Sequence, residues 1–169
     1  MTAGQTYASA EQLDQARRCF EGARALRPED PEPYSALLTE VFVAQKDAPD
    51  AEIVLKQGLD AGVDPVPLFA AFAQVAQASG QPDKARAALV KMVEYEPTYD
   101  NLLRLGSFYL GARDYERASE TFRRATEVDP TNPRAWVELA GAEDGAYQYV
   151  AADRDYLHAR ACPERHRGA

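Results

Sequence analysis

Residues 102–130 read LLRLGSFYLGARDYERASETFRRATEVDP, and this stretch decides the fold. Leu102, Leu105, Gly106 and Tyr109 recur at helical spacing in its first half, and Ala118, Phe122 and Ala125 do so in its second. Steps of three and four residues put each set on one face of an α-helix. Gly111-Ala112-Arg113-Asp114 interrupts the pattern between the halves, and Pro130 ends the second one. Small residues at 106, 118 and 125 let two backbones approach, while Leu, Tyr and Phe fill the space between them. The stretch therefore encodes a helical hairpin.

The hairpin recurs along the chain. A shift of 34 residues brings Trp136, Leu139 and Ala140 onto Leu102, Leu105 and Gly106, and Ala152, Tyr156 and Ala159 onto Ala118, Phe122 and Ala125. Backward, one copy gives Phe69, Phe72, Ala73, Ala76, Ala85, Leu89, Met92 and Pro97. An earlier one gives Tyr34, Leu37, Leu38 and Val41, then Ala51, Leu55 and Gly58 after one extra residue assigned to the turn Lys46 to Asp50. At the front only a second half is present: Ala16, Phe20, Ala23 and Pro28.

This spacing, W-x2-L-G-x2-Y followed by A-x3-F-x2-A and P, resembles the tetratricopeptide repeat, with Leu102 in place of the leading Trp. The resemblance covers about residues 11–162 and implies an all-α solenoid, a right-handed superhelix of about nine helices with no sheet. The expected organisation is an N-terminal segment 1–10, the second helix of a half repeat 11–30, repeats at 31–65, 66–98, 99–132 and 133–166, and a tail 167–169. Ser9 with Gln12 is a candidate capping box for the first helix, and Ser79-Gly80-Gln81-Pro82-Asp83 is an expected hairpin turn. Tyr34, Tyr109 and Tyr156 fall at hairpin-core positions.

Composition agrees with a helical array. There are 31 Ala against 14 Leu, 11 Val, 6 Phe and one Ile, so strand-forming residues are too few for a sheet of ordinary size. A net charge of −8 opposes phosphate backbones and anionic bilayers, which disfavours nucleic acid as a partner. Neither Cys19 nor Cys162 lies in a paired spacing, and both are expected as reduced, buried small hydrophobes. The N-terminus lacks a secretory signal's basic start and apolar core, and the longest apolar run, Leu68 to Ala73, is far short of a membrane span. A cytoplasmic protein with no membrane insertion is the expectation.

Chemistry-bearing constellations are sparse. His158, Cys162 and His166 would share a helix face at i, i+4, i+8, but Pro163 interrupts that helix, and the terminal-tail reading is preferred to a metal site. Paired acids such as Glu29 with Asp30, Glu143 with Asp144, and Asp153 with Asp155 are expected in turns or on outward faces. The Gly141 to Gly145 cluster has neither the Lys nor the Ser or Thr of a phosphate loop. Arg17, Arg18, Arg24 and Arg27 are interleaved with acids and read as a solvated face, and Arg160, Arg165 and Arg167 as part of the tail. No catalytic residue, metal ligand or cofactor is expected, and the chain is not read as an enzyme.

The resemblance also implies where a partner would bind, because first helices of these repeats line a concave groove with positions 2, 5, 9, 12 and 13. Carried over, these are Glu32, Ser35, Thr39, Phe42 and Val43; Pro67, Ala70, Gln74, Gln77 and Ala78; Asp100, Leu103, Ser107, Leu110 and Gly111; and Arg134, Val137, Gly141, Asp144 and Gly145. Family members that clamp an acidic chaperone tail place Lys, Asn and Arg here. This chain has Ser, Thr, Ala, Gln and Leu instead, so an apolar groove is expected, with Phe42, Val43, Leu103, Leu110 and Val137 as anchors. The alternative is a concave surface filled by the chain's own termini. Gly141 and Gly145 predict a looser last repeat, at about 1 kcal/mol each relative to Ala.

The function read from these features is a non-catalytic adaptor or assembly scaffold that binds a peptide or helical segment of a protein in a bacterial cytoplasm. The alternatives are a secretion-system chaperone of the same repeat type and a structural scaffold that self-associates as a homo-oligomer through uncapped ends.

Overall fold

The computed structural model describes residues 12–146 together with Tyr156, Leu157 and Arg160. Among these residues every regular element is helical. Helices α1 (Leu13–Leu26), α2 (residues 31–45), α3 (Ala48–Asp60), α4 (Pro65–Ala78) and α5 (Pro82–Tyr95) belong to a first compact unit, residues 1–95. Helices α6 (Tyr99–Gly111), α7 (Tyr115–Val128) and α8 (Pro133–Gly145) belong to a second, residues 96–169. The expected ninth helix falls on residues of which only Tyr156, Leu157 and Arg160 are described, all three helical.

The first helix of each hairpin begins in one register. Asp30, Asp64, Thr98 and Asn132, spaced 34 apart, each accept a hydrogen bond from a first-turn N–H: Glu32 at 3.1 Å, Val66 at 3.0 Å, Asn101 at 3.4 Å and Arg134 at 3.2 Å. Pro31, Pro65 and Pro133 follow three of these caps, where a missing N–H leaves no bond unmade. The second full repeat thus starts at Pro65, one residue before the expected boundary. Helix α1 begins at Leu13, with Gln12 preceding it and making no side-chain cap, so Gln12 does not act as half of a capping box; Ser9 lies outside the described residues.

Each of the three described hairpin turns passes through one left-handed residue: Lys46 at φ 55°, Gly80 at φ 68° and Arg113 at φ 59°. A backbone bond then closes each turn, from Asp47 N to Phe42 O (3.1 Å), Gln81 N to Ala76 O (2.8 Å) and Asp114 N to Tyr109 O (2.9 Å). Phe42, Ala76 and Tyr109 are therefore equivalent, yet they stand 12, 12 and 11 residues after their caps at 30, 64 and 98. The extra residue lies inside the helix and not in the turn Lys46 to Asp50. In α2 it is taken up by a π-helical segment, Leu37–Phe42, between α-helical Pro31–Ala36 and Val43–Gln45. In α4 the helix is one residue longer at its start, so Leu68 takes the buried core place and Phe69, read as core, is half-buried and stacked on Tyr95 at 5.9 Å.

In the first unit α2 packs on α1, α3 and α4, and α4 packs on α3 and α5. Its core holds Ala16, Phe20, Tyr34, Leu37, Leu38, Val41, Phe42, Ala51, Leu68, Val75, Ala76, Ala85 and Met92. In the second, α7 packs on α6 and α8 around Leu102, Leu105, Phe122, Ala125, Leu139 and Ala140. Tyr34 and Trp136 occupy the same repeat position and donate to the carbonyls of Pro28 (2.9 Å) and Pro130 (3.1 Å), each six residues back. Tyr34 and Tyr109 are buried as expected, whereas Tyr156 is 41% exposed and is not a core residue. Cys19 is half-buried with a free thiol, so it does not have the buried place expected of it; Cys162 lies outside the described residues.

Candidate functional site

The surface the first helices leave open follows from these two registers. The closing bond of each turn makes Phe42 equivalent to core Tyr109, so Phe42 is fully buried with the Arg17 guanidinium 5.1 Å above its ring. It is not an exposed anchor. Counting from the turn, the places of Ser107 and Gln74 belong in α2 to Glu40, and those of Leu110 and Gln77 belong to Val43. Sequence spacing passes over Glu40 because it assigns the extra residue downstream of it.

In the first unit Glu32 and Thr39 are exposed while Ser35, Glu40 and Val43 are half-buried, and the Thr39 hydroxyl donates to Ser35 O at 2.8 Å. On α4, Pro67, Gln74 and Gln77 are exposed, with Ala70 and Ala78 half-buried beside them. These residues form adjoining stripes, since α2 and α4 pack together. In the second unit Asp100, Ser107, Gly111, Arg134 and Asp144 are exposed, Leu110, Gly141 and Gly145 are half-buried, and Val137 is 47% exposed. Leu103 is buried along with its neighbours Asn101 and Leu102, because α6 is covered on more than one side near its start, so Leu103 is not available as an anchor either.

Charge is distributed unevenly over these helices. Arg17 bonds Glu21 at 2.9 Å and Asp50 at 2.5 Å, and Arg24 bonds Gln57 at 2.7 Å, tying α1 to α3; Lys84 bonds Glu52 at 2.6 Å, tying α5 to α3. Hydrogen bonds to Glu21 and Asp50 raise the Arg17 pKa above its ordinary value, so this arginine belongs to a structural network and not to a loosely solvated face. Burial first, and the nearby Glu32 second, raise the Glu40 carboxyl above the usual range. Glu143, expected on an outward face, is instead fully buried at the position of Tyr109, and its Oε1 accepts from Arg123 Nη2 at 2.8 Å. A buried carboxylate needs such a partner, and the neighbouring second helix supplies it.

Among the described residues no group of three or more His, Cys, Asp or Glu side chains could hold a metal ion. His158, Cys162 and His166 lie outside them, as do Asp153 and Asp155. Asp30, of the Glu29–Asp30 pair, is a helix cap that also pairs with Arg27 at 3.0 Å. No described helix is long and apolar enough to cross a membrane.

The tetratricopeptide repeat family matches residues 76–139. Residues 76–139 carry tetratricopeptide repeats. The same all-α fold is found in the crystal structure of MamA, at 18% identity and a TM-score of 0.68, covering 95% of this chain and 94% of that one. A MamA fragment from Desulfovibrio magneticus RS-1 gives 17% identity and a TM-score of 0.66, with coverage of 98% and 93%. YrrB, described as a tetratricopeptide protein with an unusual peptide-binding site, gives 20% identity and a TM-score of 0.64, with coverage of 96% and 84%. At these identities the likeness is one of fold. Among curated protein sequences none matches the chain.

Proposed function

We propose that this tetratricopeptide chain is a non-catalytic interaction scaffold, which holds a peptide or helical segment of a protein partner against the exposed stripes of its first helices. The observation that carries the reading is the stripe on α4. No charged residue occurs between Asp64 and Asp83, yet Gln74 and Gln77 stand exposed beside the half-buried Ala70. An uncharged strip with amide donors and acceptors suits a peptide backbone, and the apolar neighbours suit its side chains. Ser35, Thr39 and Val43 extend that surface on α2, and Ser107, Leu110, Arg134 and Val137 offer a second one on α6 and α8. A secretion chaperone's cargo segment is one partner of this kind. The cytoplasm of a bacterium is the compartment this reading takes, from 15 Arg against 4 Lys, a GC-rich signature.

The test uses peptides selected from a displayed random library on the full chain. Replacing Gln74 and Gln77 by Ala should weaken a selected peptide about tenfold, the loss of about one good hydrogen bond to a buried backbone. Unchanged affinity in that variant, and in Val43→Glu and Val137→Glu, would sink the proposal. A second reading, self-association, is favoured by Tyr156 and Leu157, which stand 41% and 65% exposed in the last repeat. Light scattering that detects only monomer across a concentration series would remove it.

A further inference from the structure

Of the described helices, α2 and α4 alone carry neither lysine nor arginine. Several acids of the second helices and linkers of the first unit are paired: Glu21 and Asp50 with Arg17, Asp30 with Arg27 and Glu52 with Lys84. Glu32 and Glu40 differ, for among the described residues no cation pairs with either of them. Glu32 is exposed on the first turn of α2, and Glu40 holds the place that Gln74 and Ser107 hold on their own helices. The neighbouring α4 stripe has no charge of either sign, so α4 offers nothing to offset the two carboxylates.

We propose that the segment bound on the α2–α4 face is basic: a peptide whose Lys or Arg side chains meet Glu32 and Glu40, whose apolar side chains rest on Val43 and Ala70, and whose backbone meets Gln74 and Gln77. The proposal rests on the reading of this face as a peptide site and adds the chemistry of its occupant. A cation on the ligand relieves the repulsion between the carboxylates and gains charge-assisted hydrogen bonds. An acidic segment meets repulsion with no compensating partner, so the same pair excludes it. The net charge of −8 steers a basic segment toward the chain, and the half-buried Glu40 fixes where its charge is met.

Selection of peptides from a displayed random library on the full chain, with affinity measurement of those selected, tests this. Selected peptides should combine Lys or Arg with apolar residues, and their affinity should fall as salt is raised. Glu32→Gln with Glu40→Gln should weaken them about tenfold, as for the loss of a charge pair. Removing the same number of charges elsewhere, by Glu116→Gln with Glu127→Gln on α7, should leave them unchanged. Peptides that are acidic or uncharged, or basic ones indifferent to the Glu32 and Glu40 variant, overturn the basic occupant; if they still weaken in the Gln74 and Gln77 variant, the peptide site itself survives. Equal weakening by both glutamate pairs assigns the effect to net charge and also overturns it. Selection of no peptide, or of peptides indifferent to all three variants, overturns both readings.

Discussion

A Cβ added at Gly106 would stand 2.5 Å from Cε1 of Phe122, inside any real contact, and the Phe122 ring is fully buried and cannot swing away. Gly106→Ala should therefore destabilise by about 1–3 kcal/mol, the range for overpacking a filled core. Gly141 has nothing within 4 Å of an added Cβ and is helical with no positive φ, so Gly141→Ala should stabilise by about 1 kcal/mol through helix propensity. Urea unfolding of the two variants checks both signs at once. Gly145 differs again, because the Tyr115 ring packs where its Cβ would be. The two glycines that look equally loosening in the sequence thus do opposite things: one is an open fault and the other a fitted contact. Glu40 yields a prediction in pH. Its folded carboxyl titrates above the ordinary value of 4.5, so the folded state binds more protons there than the unfolded one, and stability falls as pH rises through that window. Glu40→Gln should flatten that fall and raise the melting temperature at neutral pH; a variant that melts as the parent does at both pH 4.5 and pH 7 would contradict the assignment.

At the level of elements, caps and turns set the register and helix interiors absorb the differences. Asp30, Asp64, Thr98 and Asn132 hold the helix starts, and the left-handed residues Lys46, Gly80 and Arg113 with their closing bonds hold the turns. An extra residue between two such anchors has one place to go, the helix itself, where i→i+5 bonding takes it up in α2. Deleting Thr39, an exposed residue of the π segment, should be tolerated, with helix content kept and the melting temperature little changed. Deleting Asp47 removes the cap that accepts from Asp50 N at 3.2 Å and should cost about 1 kcal/mol or more. Circular dichroism melts of the two deletions distinguish them, and equal losses would contradict the division of labour. The insertion itself was legible as a one-residue offset between Val41 and Ala51. Its location was not, because spacing counts residues and only hydrogen bonding shows which span of backbone is rigid.

On the scale of the whole chain, packing is local: α1 to α5 pack on one another within residues 1–95. A chain of residues 1–95 should accordingly fold alone, with a helical spectrum and a cooperative melt, as expected where each repeat is stabilised by its neighbours. A featureless melt would show that the unit depends on residues 96–169. The sequence by itself determined the all-α hairpins, the period of 34, the close-contact alanines Ala16, Ala51, Ala76, Ala85, Ala118, Ala125 and Ala140, and the buried Tyr34 and Tyr109. Those depend on spacing along single helices, which the chain carries explicitly. Tertiary structure decided that Phe42 and Leu103 are core, that Leu68 replaces Phe69, that Glu143 is buried against Arg123, and that Glu40 shares the open stripe with Gln74. Burial is set by which helix lies against which face, and one residue of slip turns a helix by about 100°, enough to exchange an anchor for a core residue.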